Sequence, residues 1–148
     1  MQQIPSLSKG DTIHLISTAR KISQQELAPA ISLLESWGLK VELGKNLFGE
    51  DHQFSGTKAA RLEDLQNALH DPKCKAIICA RGGYGTVQLI DQLDFSAFLT
   101  SPKWIVGYSD VTVLHAHINQ NFGLETLHAT MPINFPKSGE NAATLSLK

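Results

Sequence analysis

Apolar positions along the chain fall into two patterns: short dense runs, and longer stretches where they recur every three or four residues. Thr12–Ser17 (TIHLIS), Leu39–Leu43 (LKVEL), Lys75–Ala80 (KAIICA) and Lys103–Val106 (KWIV) are of the first kind and predict strands, with Glu125–His128 (ETLH) as a fifth. KAIICA is apolar almost throughout, as a strand buried on both faces should be. The second pattern predicts helices. Ser23-Gln-Gln-Glu26 has capping-box spacing and opens a helical stretch to Trp37, with Leu27, Ala30, Ile31 and Leu34 on one side and Gly38 as its stop. Pro29 conflicts with that helix, which either kinks there or begins near Ala28 with proline in its first turn. Thr57 caps a helix through His70, with Leu62, Leu65 and Leu69 three and four apart. Thr86–Leu93 and Val111–Phe122 read as two more, the latter ended by Gly123, and Gly139–Lys148 looks like the start of another. Gly44–Gly56 is a polar loop, longer than the usual connection and therefore a candidate for function.

Strands alternating with helices at these lengths mean βαβ units. The fold class is α/β: a mostly parallel, doubly wound (flavodoxin- or Rossmann-like) sheet with helices on both faces. Ligands in such sheets sit beyond the carboxyl ends of the strands. The segments to inspect are Ser17–Arg20, Gly44–Lys45, Arg81–Gly85 and Gly107–Asp110.

Composition narrows the function classes. The 148 residues make one domain, or part of a larger protein. With 42% hydrophobic and 18% charged residues, the bulk of the chain is not intrinsically disordered. Thirteen Lys and Arg against fourteen Asp and Glu give a formal charge of −1, which removes the footprint of a nucleic-acid or anionic-membrane binder. No apolar run approaches the roughly 18 residues of a membrane span, and the polar start MQQIPSLSKGD has no signal-peptide pattern. A cytoplasmic location is expected. Strand alternation should point Cys74 and Cys79 to opposite faces, leaving two free thiols with no disulfide and no zinc signature.

Two turns can carry chemistry. Arg81-Gly82-Gly83-Tyr84-Gly85 lies between a buried strand and a helix. Its glycines let backbone N–H groups approach an anion or a developing oxyanion, although a tight connection needing glycine for geometry alone would look the same. It is neither G-x-G-x-x-G nor a P-loop. Gly107-Tyr108-Ser109-Asp110 also follows a strand and opens a helix. Ser109 there can sit on a sharp elbow with its Oγ above the sheet edge, and the Asp110 N–H would face any oxygen it attacks. Alternatively, Ser109 is a plain helix N-cap. The pair of turns favours acyl transfer, one offering a nucleophile and the other backbone donors.

A serine nucleophile needs a base within reach. Of six histidines, His115 and His117 lie on the helix after Ser109 on different faces, His70 ends a helix, His14 is mid-strand and His52 is in a loop. Of these only His128, ending the fifth strand, could face the site. No carboxylate stands out as its partner, and no metal-ligand spacing or cofactor motif is present.

At this point the sequence resembles the N-terminal domain of the LD-carboxypeptidases, the serine peptidases that include muramoyltetrapeptide carboxypeptidases and microcin C7 self-immunity peptidases. The likeness covers the Gly10-Asp11 opening, Leu33–Val41, Ser55-Gly56-Thr57 with Arg61, Asp64 and Leu65, then RGGYG, GYSD with Thr112 and Leu114, and Thr126 with His128. RGGYG and GYSD at this separation make it specific. The resemblance implies that Ser109 is the nucleophile of a Ser-His-Glu triad. It gives the oxyanion hole to the amides of Asp110 and of the Gly82-Gly83 turn, with Gly83 preferred, and leaves Arg81, Tyr84 and His128 as candidate substrate contacts.

The resemblance further implies metal-free removal of the terminal D-alanine from a murein tetrapeptide, in cytoplasmic cell-wall recycling, by a protein that is often a homodimer. Family members run to about twice this length, and their second domain supplies the Glu and His. The chain is therefore expected to be the nucleophile-bearing domain of a two-domain enzyme, inactive alone and with apolar surface that favours self-association. His128-Ala129-Thr130-Met131 stands where the family commonly has His-Gly-Pro. The rival reading is a flavodoxin-like module that holds a phosphate or carboxylate without catalysis.

Overall fold

The computed structural model describes residues 3–148, so the first two residues of the polar opening segment lie outside it. Five strands, β1 (Thr12–Ile16), β2 (Lys40–Leu43), β3 (Cys74–Cys79), β4 (Trp104–Gly107) and β5 (Leu127–His128), alternate with helices α1 (Gln24–Ser36), α2 (Lys58–His70), α3 (Ser96–Thr100), α4 (Thr112–Phe122) and α5 (Ala142–Leu147). The strands form one sheet in the order β2-β1-β3-β4-β5, every pairing parallel. The order reverses between β1 and β3, so their carboxyl ends open a crevice where a doubly wound sheet takes its ligand.

Each face of the sheet has its own core. On one, Leu27, Ala30, Leu33 and Leu34 of α1 cover Ile13, Leu15, Ala76, Ile78 and Val106. On the other, Leu65, Ala68 and Leu69 of α2, Phe98 of α3, and Leu114 and Ile118 of α4 cover Ile16, Ile77 and Ile105. Each of the larger side chains contributes about 1.5–3 kcal/mol relative to exposure, the alanines less.

The caps are those the sequence predicts. Ser23 Oγ accepts the Glu26 N–H while the Glu26 carboxylate accepts the Ser23 N–H, and Thr57 Oγ1 accepts from Ala60. Strong N-capping carries α1 through Pro29, which sits inside the helix instead of in its first turn. Gly123 ends α4 in the left-handed region at φ 65°.

Four expectations are corrected. Thr86–Leu93 is not an α-helix but two 3-10 turns, Thr86–Gln88 and Ile90–Gln92: Gln88 N–H bonds Gly85 O in an i→i+3 turn, and Arg61 holds that carbonyl and the Gln88 side chain. α4 begins at Thr112, one residue late, because Ser109–Val111 is a 3-10 turn leading into it. The fifth strand is only Leu127–His128. Finally, β1 pairs Thr12 with Cys74 but Ile13 with Ala76, so a bulge at Lys75 puts Cys74 in the cluster of Ile77, and alternation then places Cys79 on the same side. The thiols are separated by five residues of strand, about 16 Å, not by facing apart. Both are free and buried, and burial pushes Cys74 up to about 11 and Cys79 up to about 12.

Candidate active site

The turn after β4 is shaped by what packs under it. A Cβ on Gly107 would stand 3.0 Å from Val111 Cγ2, so only glycine lets Val111 fold back beneath the strand end. The chain then reverses sharply, and Ser109 adopts φ 59°, a left-handed conformation that costs a non-glycine residue about 1–3 kcal/mol. Ser109 is exposed. No group among the described residues hydrogen-bonds its Oγ, and it caps neither the 3-10 turn nor α4. The N-cap reading therefore fails.

The glycine-rich turn after β3 lies directly against this serine. A Cβ on Gly82 would be 3.3 Å from Ser109 Cβ and 3.4 Å from its Oγ. Among the described residues, the N–H groups of Gly82, Gly83 and Asp110 donate to no acceptor, so three backbone donors remain free beside the hydroxyl. The Asp110 carboxylate is used elsewhere, accepting the Thr86 N–H at 2.9 Å.

Arg61 holds these turns from below. Its guanidinium is buried and donates to Thr18 O at 2.8 Å, Gly85 O at 3.2 Å and Gln88 Oε1 at 2.8 Å, with the Phe54 ring 4.6 Å from its centre. Burial lowers its pKa, opposed by the nearby Asp110 and Asp51 carboxylates. The long loop does not line the site but buttresses it. Asp64 accepts the Asn46 N–H at 2.9 Å, and Ser55 N–H and Lys21 N–H tie the loop to the chain after β1.

Above Ser109 lies a cavity of about 240 Å³. Arg20, Arg81, Gly82 and Gly83 line one side, and Tyr108, Met131, Ile133 and Asn134 the other. Arg81 donates to Lys21 O at 3.1 Å and lies 4.0 Å from Glu26. Tyr84 is 58% exposed and rests against Phe54 on the rim, outside the lining. His128 pairs in register with Gly107, is exposed, and stands beside the Tyr108 ring, also outside the lining. His115 turns beneath the elbow, its Nε2 donating to Gly107 O at 2.9 Å. Thus no histidine lines the cavity among the described residues.

Met131, Ile133 and Asn134 were not foreseen. They reach the cavity because Pro132–Asn134 forms a 3-10 turn against α1, with Ile133 N–H bonded to Ala80 O and Tyr108 Oη donating to Asn134. The proline opening that turn is the only local hint.

A larger groove of about 430 Å³ lies elsewhere, with Leu34, Trp37, Ile78, Trp104 and Leu127 in its apolar wall. His14, Glu42 and Asp71 bring one ligand atom each within 4.8 Å of one another. His14 is mid-β1, Glu42 is in β2 and Asp71 precedes β3, and the imidazole already bonds Asp71 at 2.9 Å. No described helix is long and apolar enough to cross a membrane.

Comparison with known proteins matches this architecture. The family model described as "LD-carboxypeptidase N-terminal domain" matches residues 13–129, and the chain belongs to that family. It is 41% identical over 126 residues to a probable murein peptide carboxypeptidase of Bacillus subtilis, covering 85% of this chain and 40% of that protein. It is 35% identical over 117 residues to a murein tetrapeptide carboxypeptidase of Pseudomonas aeruginosa, covering 78% and 38%. The chain thus spans about two fifths of the length of these curated relatives. Among solved structures it is similar to microcin C7 self immunity protein MccF in complex with aspartyl sulfamoyl adenosine, at TM-score 0.90 and 26% identity over 99% of this chain and 45% of that one. A muramoyltetrapeptide carboxypeptidase from Oxalobacter formigenes superposes at TM-score 0.79 and 27% identity, covering 91% and 45%.

Proposed function

We propose that this chain is the nucleophile-bearing domain of a cytoplasmic, metal-free serine L,D-carboxypeptidase that removes the terminal D-alanine from murein tetrapeptides in cell-wall recycling. Ser109 Oγ attacks the peptide carbonyl and passes its proton to a histidine, held by a glutamate, both from a second domain. The carbonyl oxygen takes the negative charge and is received by the N–H groups of Asp110 and Gly83, with Gly82 adjoining. The C–N bond then breaks, the amine of D-alanine takes the proton, and water releases the acyl group from Ser109. Arg81, Tyr84 and His128 contact the substrate or its surroundings, and the protein works as a homodimer.

The observation that carries this reading is the strained, exposed Ser109 against Gly82 with free backbone donors around it. Relatives described as murein peptide carboxypeptidases support the substrate class.

The test is Ser109→Ala in the full-length protein, which should lower L,D-tetrapeptide hydrolysis by several orders of magnitude. A fluorophosphonate should label Ser109. Near-normal activity after that substitution overturns the reading. Anion binding with no covalent adduct would favour a binding module instead, and turnover by residues 1–148 alone would refute the second-domain base.

A further inference from the structure

We infer that Arg20 binds the free terminal carboxylate of the substrate and so makes the site an exopeptidase site. This inference rests on the peptidase reading above.

The cavity over Ser109 is small, and its lining contains two arginines and no acidic residue. Asp110, next in sequence to Ser109, is engaged by the Thr86 N–H, and Glu26, 4.0 Å from Arg81, accepts the Ser23 N–H. Such a cavity favours an anion.

The two cations are not equivalent. Arg81 spends its guanidinium on Lys21 O and approaches Glu26. Among the described residues, Arg20 donates no side-chain hydrogen bond and forms no ion pair, although its backbone is firmly held: its N–H bonds Gly82 O and its carbonyl accepts the Ser17 hydroxyl at 2.7 Å. A guanidinium on a fixed backbone with five free donors suits a carboxylate fork.

The glycine turn is cut to seat this side chain. At Gly83, a Cβ would stand 3.0 Å from Arg20 Cβ and 3.7 Å from its Cδ. The absence of a side chain there serves the arginine stem as well as the φ of 123°. Ser109, Gly82, Gly83 and Arg20 therefore form one continuous wall.

The chemistry sets the spacing. In a carboxypeptidase the terminal carboxylate is separated from the carbonyl under attack by one nitrogen and one Cα, about 4 Å at most. A cation that reads it must share the nucleophile's own cavity. Arg20 does.

The experiment uses the full-length protein and two matched L,D-tetrapeptides, one ending in D-alanine and one in D-alaninamide. The Arg20 enzyme should favour the free acid by about 100-fold in kcat/KM. Arg20→Ala should remove most of that preference through KM on the acid, with the amide almost unaffected, and Arg20→Lys should restore part of it. Equal losses on acid and amide, or no loss on either, overturn the proposal.

A second readout separates it from the peptidase reading. In the Ser109→Ala background, N-acetyl-D-alanine should bind at least 10-fold tighter than its amide, and Arg20→Ala should abolish the difference. If that difference is present but neither peptide is hydrolysed, the peptidase reading falls and the Arg20 assignment stands. If acid and amide bind alike, the Arg20 assignment falls whatever the activity.

Discussion

The carboxylate of Asp110 accepts the backbone N–H of Thr86 at 2.9 Å, and through that bond the turn after β4 fixes the turn after β3. The free donors around Ser109 belong to these two turns, so their spacing depends on a contact 24 residues apart in sequence. Asp110→Ala should leave the Thr86 N–H unpaired and cost about 1.5–3 kcal/mol, since the acceptor is charged. Asp110→Asn keeps an acceptor oxygen and should cost less than half as much. Urea unfolding of the two variants checks the order, and kcat/KM in the full-length protein should fall in parallel with it.

Ser109 holds a left-handed backbone conformation that glycine would adopt without strain. At φ 59°, Ser109→Gly should relieve the strain and be more stable than Ser109→Ala by about 1 kcal/mol. Both variants should be inactive in the full-length protein. Equal urea midpoints for glycine and alanine would show that the conformation is not strained.

The regular elements were legible because their signals are local. Ser23-x-x-Glu26 forms its capping box, Thr57 caps α2, and KAIICA is the central strand, since caps and alternation involve neighbours in sequence. The glycine turns and Ser109 were legible from their position after strands. What escaped depends on long-range packing. Arg61 entered only through the family likeness, and its role as a clamp on Thr18 and Gly85 spans up to 43 residues. Asn134 and Ile133 reach the cavity from a segment with no periodicity. Thr86–Leu93 has helical spacing, but the Arg61 and Asp110 contacts that hold its first turn come from elsewhere in the chain.

Lys103 also escaped notice, reading as the first residue of a strand. It is 1% exposed, and its ammonium donates to Ala68 O at 3.0 Å, Leu69 O at 2.9 Å and Asp71 O at 2.6 Å. Three donors thus satisfy three carbonyls at the end of α2. Burial lowers its pKa, partly offset by Cys74 and Asp71. Lys103→Met fills similar space but leaves those carbonyls without donors, and should cost about 3 kcal/mol. Hydrogen exchange should show the last turn of α2 opening first. An unchanged urea midpoint would mean that water replaces the ammonium without penalty.

His115 gives the fold a pH dependence whose sign can be stated. A carbonyl only accepts, so Nε2 carries the proton shared with Gly107 O, while Nδ1 is buried with no partner among the described residues. Protonating Nδ1 would place an unpaired charge beneath the elbow. Burial accordingly lowers the folded-state pKa below the ordinary 6.5, the Gly107 bond opposes this, and a charge on nearby His128 adds to the lowering. As pH falls through 6.5, the unfolded chain takes up its proton before the folded one does. The contribution to stability is therefore whole above that value and is lost progressively below it. His115→Gln removes the titration while keeping a donor for Gly107. Urea midpoints measured from pH 7.5 to 5.5 should fall more steeply for the histidine protein than for the glutamine variant. Parallel curves would mean that His115 does not couple protonation to folding, and that the turn carrying Ser109 is insensitive to the ring beneath it.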